Sequence, residues 1–331
     1  MSRIKLGMWA VMALILVPLV GAQSYTVTDL GVLTGGYSSG SSAINNEGDV
    51  VGSSDVNTLD QHAFLWTPAA GMQDLGTLGG ANSYANGINN SGQVVGQAYR
   101  ADGTWGAFLW TKEGGMQDLG TLGGSSAIAS GINNLGQVVG ISYIEAGSYT
   151  AHAFLWSASA GMQDLGTIDG GSSYAIAIND DGEVIGTLNP VDEYFTFIWT
   201  PTGGMEQINT PGSGSSQPTA INLSGTIVGY ADQSSLRSVG FIRSPQGGFR
   251  SLGSMGNSAN IPRGVSPSLQ VVGQAEPLTG SFGFLWTEAD GLQSLNDLVS
   301  GQYGIYSGNA INKFGQITAN GLHALLLTPI Q

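Results

Sequence analysis

The sequence predicts an all-β protein, a seven-bladed β-propeller of four-stranded blades in which the N-terminal strand completes the last blade and closes the ring. Two observations support this fold. A short motif returns seven times at nearly constant spacing, and each end of the chain holds an incomplete repeat that complements the other. We expect a signal peptide at 1–22 and a single propeller domain at 23–331.

The repeated motif reads Ile-Asn-Asn-x-Gly in its best-preserved copies. Its apolar first position falls at Ile44, Ile88, Ile132, Ile178, Ile221, Val265 and Ile311. Successive copies are therefore 43 to 46 residues apart. A fixed period of this size is typical of solenoids, propellers and arrays.

Each repeat has the pattern of four short strands. In the second repeat we expect strand A at 83–89, B at 93–98, C at 106–111 and D at 115–121. The Asn-Asn-Ser-Gly segment predicts a hairpin turn in which Gly92 adopts a positive φ. Strand C is apolar on both faces, so we expect its repeated tryptophans to be mostly buried between blades. These are Trp66, Trp110, Trp156, Trp199 and Trp286, whereas Trp105 falls in the predicted loop between B and C.

The two chain ends favour a ring over a linear array. Residues 24–36 (SYTVTDLGVLTGG) form a strand D without A, B and C, and residues 310–331 supply A, B and C without D. A solenoid caps its ends, whereas a propeller of radial sheets joins them. We expect the strand Tyr25–Leu33 to pair with the strand around His323–Leu327.

The first 22 residues predict a secretory signal peptide. Arg3 and Lys5 precede a short apolar run that ends in Val20-Gly21-Ala22, the order of regions that such signals have. A retained membrane anchor is the alternative. We expect a secreted, extracellular or periplasmic monomer with no membrane span after cleavage and no cofactor. The chain has no cysteine, hence no disulfide, and its net charge of −14 argues against a nucleic-acid partner.

The repeated strings resemble a known family. HAFLW followed by GMQDLGTLGG, with INNxGQVVG between, is similar to the HAF-repeat family of extracellular bacterial proteins. The resemblance covers residues 24–331, strongly in the first four repeats and weakly around Phe241 and Leu325. It implies a secreted protein and no established reaction.

Several residues that suggest chemistry have simpler interpretations. His62, His152 and His323 share one strand position that holds Gly, Phe or Val in other repeats, so we interpret it as a packing position, with no metal site. The recurring Asp74, Asp118 and Asp164 predict structural hydrogen bonds. Residues 36–40 match G-x-S-x-G by chance, outside the strand-to-helix turn that this motif requires. The turn NDDGE is a hairpin, with a weak ion contact by Asp180, Asp181 and Glu183 left open.

Sequence variation between repeats indicates where a ligand binds. The turns between A and B and between C and D vary little, whereas the BC loops and the later DA loops differ. Because BC and DA loops emerge at one end of the blades, we expect the functional surface there. The candidate ligand-binding residues are Tyr99, Arg100, Asp102, Trp105, Tyr143, Glu145, Tyr149, Asp192, Glu193, Tyr194 and Tyr303, together with the loop acids Asp55 and Asp60.

The functional hypothesis is a non-catalytic module that binds an extracellular carbohydrate, peptide or protein. One alternative is an extracellular enzyme acting on glycan or peptide through Asp102, Glu145 or Asp192, and another is a structural surface protein. The acid-free segment 233–275 contains Arg237, Arg243, Arg250 and Arg263. These arginines form a basic patch or merely balance the acidic remainder.

Overall fold

Seven antiparallel four-stranded sheets make up the protein, which is a seven-bladed β-propeller as predicted. The computed structural model describes residues 23–168, 170–189, 193–210, 214–234, 237–255, 259–277 and 280–330. The predicted signal peptide 1–22 and the candidate residue Asp192 lie outside the described residues.

The first three blades are each formed by consecutive strands A to D. Blade 1 contains β2 (Ser39–Ile44), β3 (Val50–Asp55), β4 (Gln61–Thr67) and β5 (Gly71–Asp74). Blade 2 contains β6 (Gly79–Ile88), β7 (Val94–Arg100), β8 (Trp105–Thr111) and β9 (Gly115–Asp118). Blade 3 contains β10 (Ala127–Ile132), β11 (Val138–Tyr143), β12 (Ala151–Ser157) and β13 (Gly161–Asp164).

Blades 4 to 6 repeat this order, and blade 6 is followed by a short 3-10 helix. Blade 4 contains β14 (Ser172–Ile178), β15 (Val184–Asn189), β16 (Phe195–Thr200) and β17 (Gly204–Gln207). Blade 5 contains β18 (Ser216–Ile221), β19 (Ile227–Ser234), β20 (Arg237–Arg243) and β21 (Phe249–Ser251). Blade 6 contains β22 (Ala259–Val265), β23 (Val271–Glu276), β24 (Phe282–Thr287) and β25 (Gly291–Ser294), before the helix at Leu295–Asp297.

Blade 7 combines both ends of the chain and closes the ring. It contains β26 (Ser307–Ile311), β27 (Ile317–Asn320) and β28 (Ala324–Pro329), with β1 (Tyr25–Asp29) as its outer strand. The register runs antiparallel from Tyr25 opposite Pro329 to Asp29 opposite Leu325, which confirms the predicted closure. The strand ends earlier than Leu33 because the Asp29 carboxylate accepts the amide of Gly31, whose φ is +73°.

Tyr25 anchors the closing strand in the hydrophobic core. Its backbone N–H donates to the carbonyl of Leu298, and its ring packs in a cluster that includes Leu285 and Leu327. Its hydroxyl has no hydrogen-bond partner among the described residues, and burial raises the pKa of Tyr25 to about 12. The ring therefore contributes to the core as an apolar group.

The core lies between blades rather than inside one sheet. The phenylalanine of strand C is fully buried in blades 1 to 4 and 6, at Phe64, Phe108, Phe154, Phe197 and Phe284. The tryptophans two residues later are less buried than predicted. Only Trp110 and Trp286 are as little as 6% exposed, and the other three are half-buried and pack against the rims of the clusters. These three tryptophans lie next to the last residue of strand C, close to the CD turns.

Asparagine side chains connect the AB turns around the ring. The first asparagine of the motif is buried, and its side-chain oxygen accepts amides of its own turn, as Asn133 does from Leu135 and Gln137. Its Nδ2 group donates to the backbone carbonyl of the next blade, for example from Asn89 to Asn133 at 3.1 Å and from Asn133 to Asn179 at 3.0 Å. Asn312 donates to the carbonyl of Asn45 and so carries the series from the last blade to the first.

Removal of the closing strand is expected to destabilise the whole ring. A chain that begins at residue 35 lacks β1, Leu30 and Leu33, so it exposes the apolar face of β28 and part of the core between blades 7 and 1. The loss should exceed about 3 kcal/mol, the range of a large core truncation, or cause aggregation. Thermal melts of this chain are compared with those of a chain that begins at Gln23. Equal melting temperatures would contradict closure by β1.

The asparagine bridges give a second stability prediction. Asn133→Ala removes the bridge to blade 4 and leaves buried turn amides unpaired, so it should lower the free energy of unfolding by about 1–3 kcal/mol. Asn134→Ala removes exposed bonds to Asn90 and Asp180 but leaves no buried group unpaired, so it should cost clearly less. Urea unfolding of both variants measures the difference, and an equal loss would show that the buried bridge adds no more than these exposed bonds.

Candidate functional site

A central cavity lies between the seven A strands. It has a volume of about 640 Å³ and is lined from the middle of these strands to the end where the BC and DA loops emerge. A second cavity of about 400 Å³ lies at the opposite end and is lined by the AB turns and their asparagines. No described residue lines both cavities, so the two mouths of the propeller present different chemistry.

A β-bulge occurs at the same place in all seven A strands. In blade 1 the register shifts between Ser41 and Ala43. The bulged residue is therefore Ser42, two residues before the first position of the motif. The bulged residues are Ser42, Asn86, Ser130, Ile176, Thr219, Arg263 and Asn309. All seven line the central cavity, and a bulge commonly re-aims a side chain in this way near functional sites.

The sequence interpretation did not identify these seven residues, although a signal for them exists. The position varies between Ser, Asn, Thr, Ile and Arg, whereas the residue after it is always Ala or Gly. This pattern is expected for a cavity wall between closely packed strands, because the residue that lines the cavity can vary whereas the residue packed against the next strand must be small.

Part of the polar lining is free to bind a ligand. Asn86 and Asn309 donate to the carbonyls of Ala129 and Ser41, at 2.8 and 2.9 Å, and so bridge neighbouring blades. The side chains of Ser42, Ser130 and Gln217, in contrast, have no hydrogen-bond partner in the described part of the chain.

An aromatic group lies at the loop end of blade 2. Tyr99 and Trp105 stack with ring centroids 3.8 Å apart, and Tyr84 approaches Trp105 at 5.9 Å. Burial, with the nearby Tyr99 and Asp55, raises the pKa of Tyr84. The prediction that Tyr99, Arg100 and Trp105 lie in the BC loop is wrong, because they belong to β7 and β8 and the loop spans only 101–104. Tyr143 likewise ends β11.

Arg100 has a structural partner. Its guanidinium forms an ion pair with Asp118, with Nη2 3.0 Å from Oδ1. It fills the place that the histidine side chain takes in other blades, because a Cβ on Gly106 would lie 3.2 Å from the guanidinium carbon. Burial opposes ionisation of Asp118, but the hydrogen bonds from Arg100 and from the Gly120 amide outweigh it, and the pKa of Asp118 lies below its usual value.

Each of the three histidines forms a hydrogen bond to an aspartate of strand D. His62 Nδ1 lies 2.8 Å from Asp74, and His152 Nδ1 lies 2.9 Å from Asp164. His323 lies 3.1 Å from Asp29 and so joins the C-terminal strand to the closing strand. The predicted structural role of Asp74 and Asp164 is confirmed. The histidine side chains are mostly packed, at 15–24% exposure, and also make a hydrogen bond to strand D that the sequence did not predict.

The predicted loop acids differ in their surroundings. Asp102 accepts hydrogen bonds from the Thr104 hydroxyl and amide, which lower the pKa of its carboxyl. Asp55 is bound by Gln61 and Ser38, which also lower its pKa. Asp60 accepts from Asn57, and Glu145 and Glu193 are exposed. Among the described residues, no hydrogen bond joins Asp102 to Glu145.

Exposed tyrosines are concentrated on the loop face. Tyr149 is 91% exposed, and Tyr194 and Tyr303 also reach solvent, as predicted. Tyr37 and Tyr306, in DA loops, are exposed as well and were not predicted. The exposed large apolar residues of the AB turns, Leu135, Leu223 and Phe314, include no tyrosine.

Local contacts bear on two further sequence hypotheses. Arg250, on the outer strand of blade 5, pairs with Glu288 and lies over Trp286, whereas Arg263 lines the central cavity, so these two do not share one basic patch. In the NDDGE turn, Asp180 accepts the Asn134 amide and Glu183 binds Asn179. Within the described residues, no three His, Asp or Glu side chains are grouped so as to hold a metal ion.

Known structures share this fold at low sequence identity. An oligogalacturonate lyase in complex with manganese has a TM-score of 0.61 and 10% identity, covering 93% of this chain and 96% of that one. The propeller domain of the trilobed protease from Pyrococcus furiosus, which has an open velcro topology, has a TM-score of 0.60 and 9% identity over 87% and 92%. TolB from Acinetobacter baumannii has a TM-score of 0.52 and 9% identity over 86% of this chain.

These similarities show the β-propeller fold and nothing finer. The chain spans 64% of the length of TolB. No protein-family model and no curated protein matches the sequence. No helix among the described residues has the length and apolar character needed to cross a membrane.

The Arg100–Asp118 pair predicts a pH-dependent stability contribution. Because the folded pKa of Asp118 is lowered, the contribution is present above the usual carboxyl pKa near 4 and is lost as pH falls through the folded pKa. Asp118→Asn should therefore cost about 1 kcal/mol at pH 7, a value reduced by partial exposure, and less near pH 3. Urea unfolding at both pH values tests this, with the exposed Glu113→Gln as control. A loss independent of pH would contradict the ion pair.

Proposed function

We propose that this protein is a secreted binding module that takes an extracellular carbohydrate at the mouth of the central cavity, on the face formed by the BC and DA loops. The observation that carries the proposal is the ring of seven bulged residues. It places side chains of different chemistry around one cavity while the surrounding scaffold stays repetitive.

The chemistry of this face suits a sugar. The cavity offers the hydroxyls of Ser42 and Ser130 and the Gln217 amide, which have no partner among the described residues and are free to bind hydroxyl groups. Exposed tyrosines lie in BC and DA loops on the same face, among them Tyr149 and Tyr37. Tyrosine supplies a rigid apolar ring and a polar tip at a low entropic cost, and few such residues carry much of a binding energy.

Asp55 and Asp102 are poor candidates for a general acid. Asp55 accepts hydrogen bonds from Gln61 and Ser38, Asp102 accepts them from Thr104, and these bonds lower the pKa of both carboxyls. A general acid must instead hold its proton near the working pH. The structural neighbours include a lyase and a protease domain, so the fold alone does not select either activity.

The proposal is tested with a glycan array probed by the chain 23–331, followed by calorimetry on the best ligand. Tyr149→Ala and Tyr37→Ala, made together, should weaken binding tenfold or more, about 1.4 kcal/mol, with an unchanged melting temperature because both rings are exposed. Phe314→Ala and Leu135→Ala on the opposite face are the matched controls and should leave affinity unchanged.

Two outcomes would contradict this proposal. One is an array with no bound glycan. The other is binding that survives loss of the loop tyrosines and disappears with the changes in the AB turns, which would place the ligand on the opposite face.

A further inference from the structure

We infer that the central cavity recognises a carboxylate group on its ligand, through Arg263, so that the preferred ligand is an acidic oligosaccharide. This inference rests on the proposed function and adds the charge of the ligand to it. Arg263 is the bulged residue of blade 6, where it occupies the position that Ser, Asn or Thr takes in most other blades.

Arg263 is the one charged residue among those that line the cavity in the described part of the chain. The rest of the lining consists of serine, threonine, asparagine and glutamine, with Tyr230 and a few apolar residues. The chain as a whole carries a net charge of −14. A cation in an acid-free cavity of so acidic a protein sets the local potential, because the distant carboxylates are screened over about 8–10 Å.

A hydrogen bond orients the guanidinium of Arg263 but uses only one of its N–H donors. Its Nη2 donates to Gln274 Oε1 at 2.9 Å, and Gln274 in turn donates to Glu276. Arg263 forms no ion pair with Glu276 or with any other acid of the described residues. A guanidinium has five N–H donors, so most of its donors remain available.

Tyr230 supplies a second contact beside Arg263. It lines the same cavity, from strand B of blade 5, and its hydroxyl has no hydrogen-bond partner among the described residues. Burial and the charge of Asp232 raise the pKa of Tyr230, while the charge of Arg263 opposes them. Asp232 itself accepts the Ser238 hydroxyl. The phenol therefore stays protonated at neutral pH and can donate to a carboxylate held by Arg263.

The size and geometry of the site fit a carboxylated sugar. A volume of about 640 Å³ lies within the usual range for small-molecule sites. The planar fork of an arginine matches a carboxylate with two parallel hydrogen bonds, which an ammonium group does not. Ser42 and Ser130, from blades 1 and 3, offer neutral donors elsewhere on the wall for sugar hydroxyls.

Calorimetry with a galacturonic acid trisaccharide and its methyl ester tests the inference. The two probes differ in charge and keep the same hydroxyl groups. We expect the acid to bind the chain 23–331 at least tenfold more tightly than the ester. Arg263→Gln should abolish that preference, and Arg263→Lys should restore only part of it. Arg250→Gln, which removes an arginine from the outer edge of the neighbouring blade, should leave it intact, and melting curves confirm that each variant is folded.

The outcomes separate this inference from the proposed function. Equal binding of acid and ester, or a preference for the acid that survives Arg263→Gln, would overturn the role of Arg263 and leave carbohydrate binding standing. Failure of both probes at millimolar concentration overturns the inference as well. Failure of every glycan on the array would overturn the proposed function with it.

Discussion

The close approach of the seven A strands around the axis is the constraint on which the rest of the structure depends. The residue before the motif's first position is Ala or Gly in every blade, because the neighbouring backbone leaves no room for more. A Cβ on Gly264 would lie 3.1 Å from the Cα of Ala310, and one on Gly131 would lie 3.4 Å from the Cα of Ala177. Only at this separation does an asparagine amide reach the carbonyl of the next blade.

Because of the bulge, the residue that lines the cavity is independent of the residues that pack between blades. A side chain in regular alternation would have to serve both the packing between blades and the lining of the axis. The register shifts at the extra residue and the ladder continues on both sides of it, so the identity of this residue changes without moving the core. This explains how Ile176 and Arg263 occupy equivalent positions in blades whose buried strands are otherwise alike.

The sequence predicted the blade number, the strand order and the closure because each depends on the repeat itself, which is visible without coordinates. It did not predict the partners of side chains that meet across strands. His62 contacts Asp74, twelve residues away, and the pairing follows from the register of C against D rather than from either residue alone. Arg100 was predicted to bind a ligand. The residues next to it in the sequence do not show that Gly106 leaves space for its guanidinium beside Asp118.

The bulged residues were missed for a related reason. Counting strand positions by twos assigns the residue after Ser41 to the opposite face, and only the observed register shows that Ser42 stands outside the ladder. The exposed tyrosines of the BC loops were predicted because variation between repeats marks loops well. Tyr37 and Tyr306 lie in DA loops and were not predicted, although Tyr303 in the same segment as Tyr306 was.

The AB turn of blade 6 departs from the repeat, and these departures have a cost in conformational free energy. Its turn has Ser266 in place of the bridging asparagine, and Leu269 takes the glycine position with a φ of +63°, the one positive φ of a non-glycine residue among those described. A left-handed conformation costs an ordinary residue about 1–2 kcal/mol. The same blade carries Arg263 and is followed by the DA segment that presents Tyr303 and Tyr306. Proteins depart from local sequence preferences at functional sites. In this ring, the blade whose AB turn departs from the repeat is also the one that supplies the cavity with its charge.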